Sequence, residues 1–263
     1  MEQTPQGPPG VHRLGDSLVN FYVVEEPEGL VLVDAGLPRH WTMLVDALTG
    51  LGASVTDIRA VLLTHAHPDH LGLAARLQRD AGAAVWIHRA DAPTLAARNP
   101  ALAAPKSERA MVPYLLRRPA ALALPLHLAR QGGFRPTPVP RPGTFQSRLV
   151  LTGVPGAPEA VPLPGHTPGS VAYVFPGHGA VFTGDALVTY DGLTGGRGPR
   201  LMCRGFSHDS AGALASLDRL SELSELAGGA GQSGDPTLFP GHGEPMVHGL
   251  SEAVTRARGL GVI

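Results

Sequence analysis

Apolar residues along the chain fall into short blocks bounded by turn formers. Leu18 to Val24 alternates in part and Gly29 to Val33 is a continuous apolar run, with the charged, Pro-containing stretch Glu25 to Glu28 between them. That pattern predicts a hairpin. Trp41 to Leu51 has a helical period closed by Gly50 and Gly52, and Leu71 to Ala81 is a second helix stopped by Gly82. Ala60 to Leu63 and Ala84 to Ile87 read as buried strands. Further on, the pattern predicts strands over Phe145 to Leu151, Ala160 to Leu163, Ser170 to Phe175, Ala180 to Thr183 and Thr237 to Phe239. Amphipathic helices are predicted over Ala211 to Leu226, capped by Ser207 or Asp209, and over Leu250 to Arg258. The order of elements predicts a layered α/β fold.

The first ten residues, with Pro5, Pro8 and Pro9, read as a flexible tail, and residues 11–263 as one domain. The pattern breaks between about 98 and 142, which holds nine Pro, seven Arg, Lys106 and the lone acid Glu108. The segment carries +7 in a chain whose net charge is −1. It reads as a surface insertion compatible with a homodimer contact, or as a lid over a site for an anionic substrate. Its prolines spoil a continuous amphipathic helix, so no membrane partner is expected.

At 43% hydrophobic content over 263 residues, the chain can bury a full-sized core. The near-neutral charge argues against a nucleic-acid partner held by bulk electrostatics. No signal-peptide pattern opens the chain and no long apolar span crosses it, which sets the expectation of a cytoplasmic protein. A single cysteine, Cys203, excludes a disulfide framework and cysteine-built metal sites. Twelve histidines beside four Tyr and two Trp are the outlying number.

Four of the residues that matter stand together. His65, His67, Asp69 and His70 follow the predicted strand Ala60 to Leu63 directly, and Pro68 stiffens the loop between them. Three more stand at predicted strand ends beside glycines: His166 in Pro164-Gly-His-Thr-Pro-Gly-Ser170, Asp185 in Phe182-Thr-Gly-Asp185, and His242 in Phe239-Pro-Gly-His-Gly243. Imidazole and carboxylate in this density are metal donors, suited to zinc and also to iron or manganese. His12, His40, His88, His127, His178, His208 and His248 lack such a context and read as ordinary surface or core histidines.

The stretch His65-Ala-His67-Pro-Asp69-His70 resembles the HxHxDH motif of the metallo-β-lactamase-fold hydrolases, in their glyoxalase II-like branch. His166, Asp185 and His242 match the next ligand motifs in order, and Asp34 in Leu32-Val-Asp-Ala-Gly36 matches the acidic residue that begins the family signature. The resemblance implies a four-layer αββα sandwich with its site at the sheet edges. It implies two divalent metal ions, first of all zinc: one held by His65, His67 and His166, the other by Asp69, His70 and His242, with Asp185 bridging both. Asp34 would orient a ligand histidine from behind. Thr167 and Ser170 would hold the His166 loop.

The implied enzyme is a hydrolase of a small-molecule ester, thioester or lactone, in which metal-activated hydroxide attacks and Asp69 helps orient the water. Phosphodiester cleavage is an alternative. Another is a persulfide dioxygenase-like oxidoreductase with one iron at His65, His166 and Asp185. A non-enzymatic metal-binding protein is a third, disfavoured by the intact ligand set. A bridging Asp185 speaks against a true β-lactamase, and the 21 residues after His242 are too few for the glutathione-binding domain of a true glyoxalase II. Tyr190 and His208 are candidate proton donors that read better as ordinary loop residues. Tyr190, Arg117 and Arg118 are the candidate substrate contacts.

Overall fold

The computed structural model describes residues 7–97, 99, 103–229 and 234–263. Residues 1–6 of the expected tail, and 98 and 100–102 at the start of the expected insertion, lie outside them. Two sheets form the centre. The first holds β1 (Val11–Gly15), β2 (Asn20–Glu26), β3 (Gly29–Val33), β4 (Ile58–Leu62), β5 (Ala84–His88) and β6 (Gly143–Phe145), in that spatial order. The second runs β13 (Thr237–Pro240), β10 (Ala180–Gly184), β9 (Val171–Phe175), β8 (Glu159–Pro162) and β7 (Leu149–Val150).

Strand periodicity explains why these runs are apolar throughout. Successive side chains point to opposite faces, and here both faces are buried. In β2, Phe21 and Val23 face outward to a helical layer, while Tyr22 and Val24 face the second sheet. Leu32 and Val33 of β3 divide the same way. In β9 and β10, Tyr173, Phe175 and Phe182 point between the sheets, while Ala172 and Val181 point to the other helical layer. Leu44, Leu48 and Leu77 come from the helices Trp41–Gly50 and Ala74–Asp80, which cover the first sheet. Leu217, Leu220, Ala253 and Ala257 come from the helices Ser210–Gly229 and Leu250–Leu260, which cover the second. The four-layer αββα sandwich implied by the resemblance is therefore present.

Three features depart from the sequence expectation. Val11–Gly15 forms an edge strand whose residues are all half-buried, so its weak apolar signal hides it. The single strand expected over Phe145 to Leu151 is two short strands, one at the edge of each sheet, because alternation cannot report which sheet a residue joins. A hairpin of β11 (Val188–Tyr190) and β12 (Arg197–Arg200) follows Asp185, its turn held by Asp191, which accepts from the Leu193 and Thr194 amides.

The insertion forms the short helices Val112–Arg117 and Ala123–Arg130. Its Tyr114, Leu115 and Ala121 pack on Leu193, Cys203 and Phe206. Met111, Val112, Leu116, Leu122, Leu126 and Phe134 remain exposed on it. Among the described residues, no helix is long and apolar enough to cross a membrane.

Strand direction positions the site. In the first sheet β3, β4 and β5 run parallel. In the second, β10 is parallel to β13 and antiparallel to β9, which is antiparallel to β8, so β8, β10 and β13 share one direction. Asp34, His65, His166, Asp185 and His242 each follow the C-terminal end of one of these parallel strands. Two buried tyrosines stitch the sheets beneath them. Tyr22 donates to the Pro240 carbonyl at 2.6 Å, and Tyr173 donates to the Leu63 carbonyl at 3.1 Å.

Candidate metal centre

The loop after β4 is anchored by one carboxylate. Asp34 accepts from the Thr64 amide at 2.8 Å and from the Thr64 hydroxyl at 2.8 and 2.9 Å. The same carboxylate accepts from His70 Nδ1 at 2.8 Å. His65 Nδ1 lies 3.0 Å from Thr64 Oγ1. Since that hydroxyl donates to Asp34, it accepts from His65. Both rings therefore carry a proton on Nδ1 and turn Nε2 inward, the tautomer a metal-ligating imidazole needs. Asp34 achieves this with a left-handed backbone, φ 56°, a conformation in which Asp is among the better tolerated residues and which is concentrated at functional sites. Replacing Asp34 by Ala lowers metal affinity by about 10–100-fold, as measured by competition with a chromogenic chelator.

Two donor groups converge: His65, His67, His166 and Asp185 in one, and Asp69, His70 and His242 in the other. Asp185 belongs geometrically to both. Its Oδ2 lies 3.5 Å from His166 Nε2, 3.8 Å from His65 Nε2 and 3.1 Å from His242 Nε2, and its Oδ1 lies 3.6 Å from His70 Nε2. Asp69 Oδ2 sits 3.5 Å from His242 Nε2 and 3.7 Å from His70 Nε2. His67 Nδ1 and His166 Nε2 are 2.8 Å apart. His65 Nε2, His70 Nε2 and Asp185 Oδ1 are buried with no hydrogen-bond partner. Buried polar atoms are almost always satisfied, so inward-facing orphans of this donor type fit a cation.

Electrostatics divide the histidines. Burial, together with neighbouring imidazoles, holds His65 and His166 well below the ordinary histidine value, so both keep a lone pair. Burial acts the same way on His67. It also pulls His70 down, but Asp34, Asp185 and Asp69 outweigh it and raise the group to about 10. His242 is likewise lifted to about 9, by Asp185 and Asp69 against burial. Burial pushes the Asp185 carboxyl up, and His242 and His70 more than reverse this, holding it well below the carboxylate range. In the metal-free protein, protons on His70 and His242 balance the carboxylates that a cation would otherwise balance.

The remaining loops need close backbone approach. A Cβ on Gly241 would stand 2.3 Å from Asp185 Oδ1 and 2.7 Å from His70 Cε1. Gly184, at φ +51°, would set a Cβ 2.1 Å from Thr64 Oγ1. Gly241→Ala, which changes no donor, lowers turnover by about 10²-fold or more, because a displacement near 1 Å is enough to cost that much. Steady-state kinetics beside a thermal melt checks this.

His242 is aimed from behind: its Nδ1 donates to the Leu18 carbonyl, and Asn20 Nδ2 donates to Pro240 O at 3.0 Å and Gly243 O at 2.7 Å. A further convergence, of Asp16, His40 and His127, supports this turn. His40 Nδ1 accepts from the Leu37 amide, so its Nε2 bears the proton and donates to Asp16 at 3.0 Å. That proton stands where a metal would bind, and the trio is a clamp. Asp16 also accepts from the Leu18 and Val19 amides, and His127 of the insertion lies 2.7 Å from its carboxylate. Burial pushes the Asp16 carboxyl up, but the His40 and Leu18 hydrogen bonds outweigh it and leave the group well below its usual range.

The other candidates fall differently. Tyr190 sits beside the His242 loop, since its neighbour Thr189 donates to the His242 carbonyl, and the Arg197 guanidinium stands 5.2 Å from its ring centre. His208 is engaged with the Lys106 carbonyl at 3.0 Å. Arg118 donates to the Gly192 carbonyl at 2.7 Å, whereas Arg117 is exposed. Thr167 and Ser170 bond each other, with the Thr167 amide donating to Ser170 Oγ at 2.9 Å. Cys203 is buried, and burial raises its thiol to about 12, which leaves it unreactive. Sequence reasoning passed over Thr64, Asn20 and Asp91. Asp91 opens a short helix after a strand, where an Asp reads as a cap.

Comparison with known proteins accords with this geometry. The family model of the metallo-β-lactamase superfamily matches residues 14–227. The uncharacterized protein YobT of Bacillus subtilis is 30% identical over 178 residues, which is 66% of this chain and 64% of YobT, so the chain spans just under two thirds of that relative. YflN of the same organism, named a probable metallo-hydrolase, is 31% identical over 87 residues, 32% of this chain and 33% of YflN. Among solved structures, the metallo-β-lactamase family protein TTHA1429 from Thermus thermophilus superposes with TM-score 0.63 at 22% identity, covering 96% of this chain and 79% of that one. TTHA1623 in a di-iron-bound form superposes with TM-score 0.58 at 26% identity, covering 92% and 96%.

Proposed function

The chain belongs to the metallo-β-lactamase superfamily, and from that premise we propose that it is a dinuclear metal-dependent hydrolase of a small ester, thioester or lactone. The observation that carries this is the single carboxylate of Asp185, which stands between both donor groups, its Oδ2 beside His65, His166 and His242 and its Oδ1 beside His70. Both donor groups are complete, which favours two ions over one. The relative TTHA1623 has a di-iron-bound form, which supports the same occupancy. Zinc is proposed first, and iron and manganese suit the same donors.

When bound, such a pair supplies Lewis acidity and a water that ionises near neutral pH. The chain's own residues do the rest. His65, His67 and His166 would hold one ion, and Asp69, His70 and His242 the other, with Asp185 facing both. Asp34 and Thr64 keep His65 and His70 in the ligating tautomer. Asp69 is less buried than Asp185, at 9% against 3% exposed, and would help orient the attacking water.

A panel of a thioester, a lactone, a carboxylic ester and a phosphodiester, run on the metal-loaded protein, tests the reading. Turnover of one of the first three supports it. Turnover of the phosphodiester alone moves the enzyme to that class, and oxygen uptake on a persulfide without hydrolysis overturns the hydrolase.

The cationic insertion would receive an anionic substrate group. Arg117→Glu then raises KM for an anionic substrate several-fold with little change in kcat. Arg117 is the cleaner probe, because Arg118 is spent on Gly192. An unchanged KM removes Arg117 from recognition.

A further inference from the structure

Asp91 is completely buried, and none of its bonds explains it as a local structural residue. It precedes the five-residue helix Ala92–Ala96, yet its side chain makes no cap to that helix. Its carboxylate instead reaches two loops remote in sequence. Oδ2 accepts from the Ala66 amide at 2.9 Å and from the Thr167 hydroxyl at 2.8 Å, and Oδ1 accepts from the Gly169 amide at 2.8 Å. Ala66 lies between His65 and His67, and Thr167 and Gly169 flank the turn after His166. Gly169 is required for this approach, since a Cβ there would stand 2.5 Å from Asp91 Oδ1.

One buried carboxylate thus joins the first sheet's donor loop to the second sheet's, on the side of the His65, His67 and His166 group. A buried carboxylate accepting three bonds fixes its partners firmly, because leaving any of them unpaired in the interior is costly. The His70 and His242 group is served by other anchors, Asp34 directly and the Leu18 carbonyl. We propose that Asp91 is a positioning residue that sets the spacing of His65 and His67 against His166, and so controls affinity at that ion site selectively. The proposal rests on the dinuclear reading only in calling the effect selective.

The test is Asp91→Asn, whose amide must turn an N–H toward at least one of the three donors. Cobalt(II) titrations of the full chain, followed by visible absorption and by chelator competition, resolve the sites. His166→Ala and His242→Ala provide the spectra of proteins lacking one donor from one group or the other. Asp91→Asn is expected to weaken one binding step by about 10–100-fold, to reproduce the His166→Ala spectrum and to leave the other step unchanged. Thr167→Val removes only one of the three bonds, and weakens the same step by a smaller factor. This variant carries the test if Asp91→Asn fails to fold.

Equal loss at both steps, or native affinity in a folded Asp91→Asn protein, overturns the proposal. Should the unmodified chain bind a single ion, the dinuclear reading fails by itself. The role of Asp91 is then judged on that one step, where a native constant overturns it.

Discussion

Asp185→Asn lowers turnover by at least about 10³-fold and releases metal from both donor groups. Several kcal/mol of charge stabilisation rest on the bound ions, and each 1.4 kcal/mol is a factor of ten. Asp185 is 3% exposed, is held ionised by His242 and His70, and stands beside donors of both groups, His166 of one and His70 of the other. An amide of the same size keeps the packing but loses the charge and sets an N–H donor where an acceptor is needed. The fold should survive, since Asp185 follows β10 and the Phe182 core beneath it is untouched. Metal content and a thermal melt, measured on the same preparation as the kinetics, distinguish this from unfolding. A variant that retains both ions and full turnover contradicts the assignment.

The second large effect is on stability. Each ion present at 1,000-fold its dissociation constant adds about 4 kcal/mol to the native state. For a chain of this size that raises the melting temperature by about 8–16 °C over the metal-free protein. The gap depends on pH. Without metal, His70 and His242 carry protons that balance Asp34, Asp69 and Asp185, and their folded values are raised to about 10 and about 9. Groups raised above the unfolded value of about 6.5 contribute stability fully below that value and lose it as pH climbs through the folded values. The metal-free protein therefore weakens between pH 6.5 and 10, while ions that replace those protons relieve the loaded protein of the loss. Calorimetry of both forms across that range should show the gap widening with pH. A constant gap means that His70 and His242 are neutral in the metal-free state.

Much of this was legible in the sequence for a physical reason. His65, His67, Asp69 and His70 must converge from one tight loop, so they are adjacent in the chain. His166, Asp185 and His242 carry their own signal, because a loop that packs against a donor cluster needs glycine beside it, as Gly241 against Asp185 shows. The two-faced burial of β2, β3, β9 and β10 made their strands plain as apolar runs. Residues acting across the sheets left no such mark. Asp91 lies 25 residues from Ala66 and 76 from Thr167, and Thr64 and Asn20 are common residue types whose partners only the fold supplies. The strand Val11–Gly15 and the divided Phe145 to Leu151 stretch sit at sheet edges, where partial burial weakens the pattern.

The central claim is that one carboxylate serves two ions. Metal analysis of the purified chain, with inductively coupled plasma mass spectrometry against quantitative amino-acid analysis, measures this directly. The proposal expects about two divalent ions per chain, and loss of both in Asp185→Asn. A stoichiometry that stays at about one ion per chain under excess metal, with His70 and His242 replaceable without effect on it, would contradict the account.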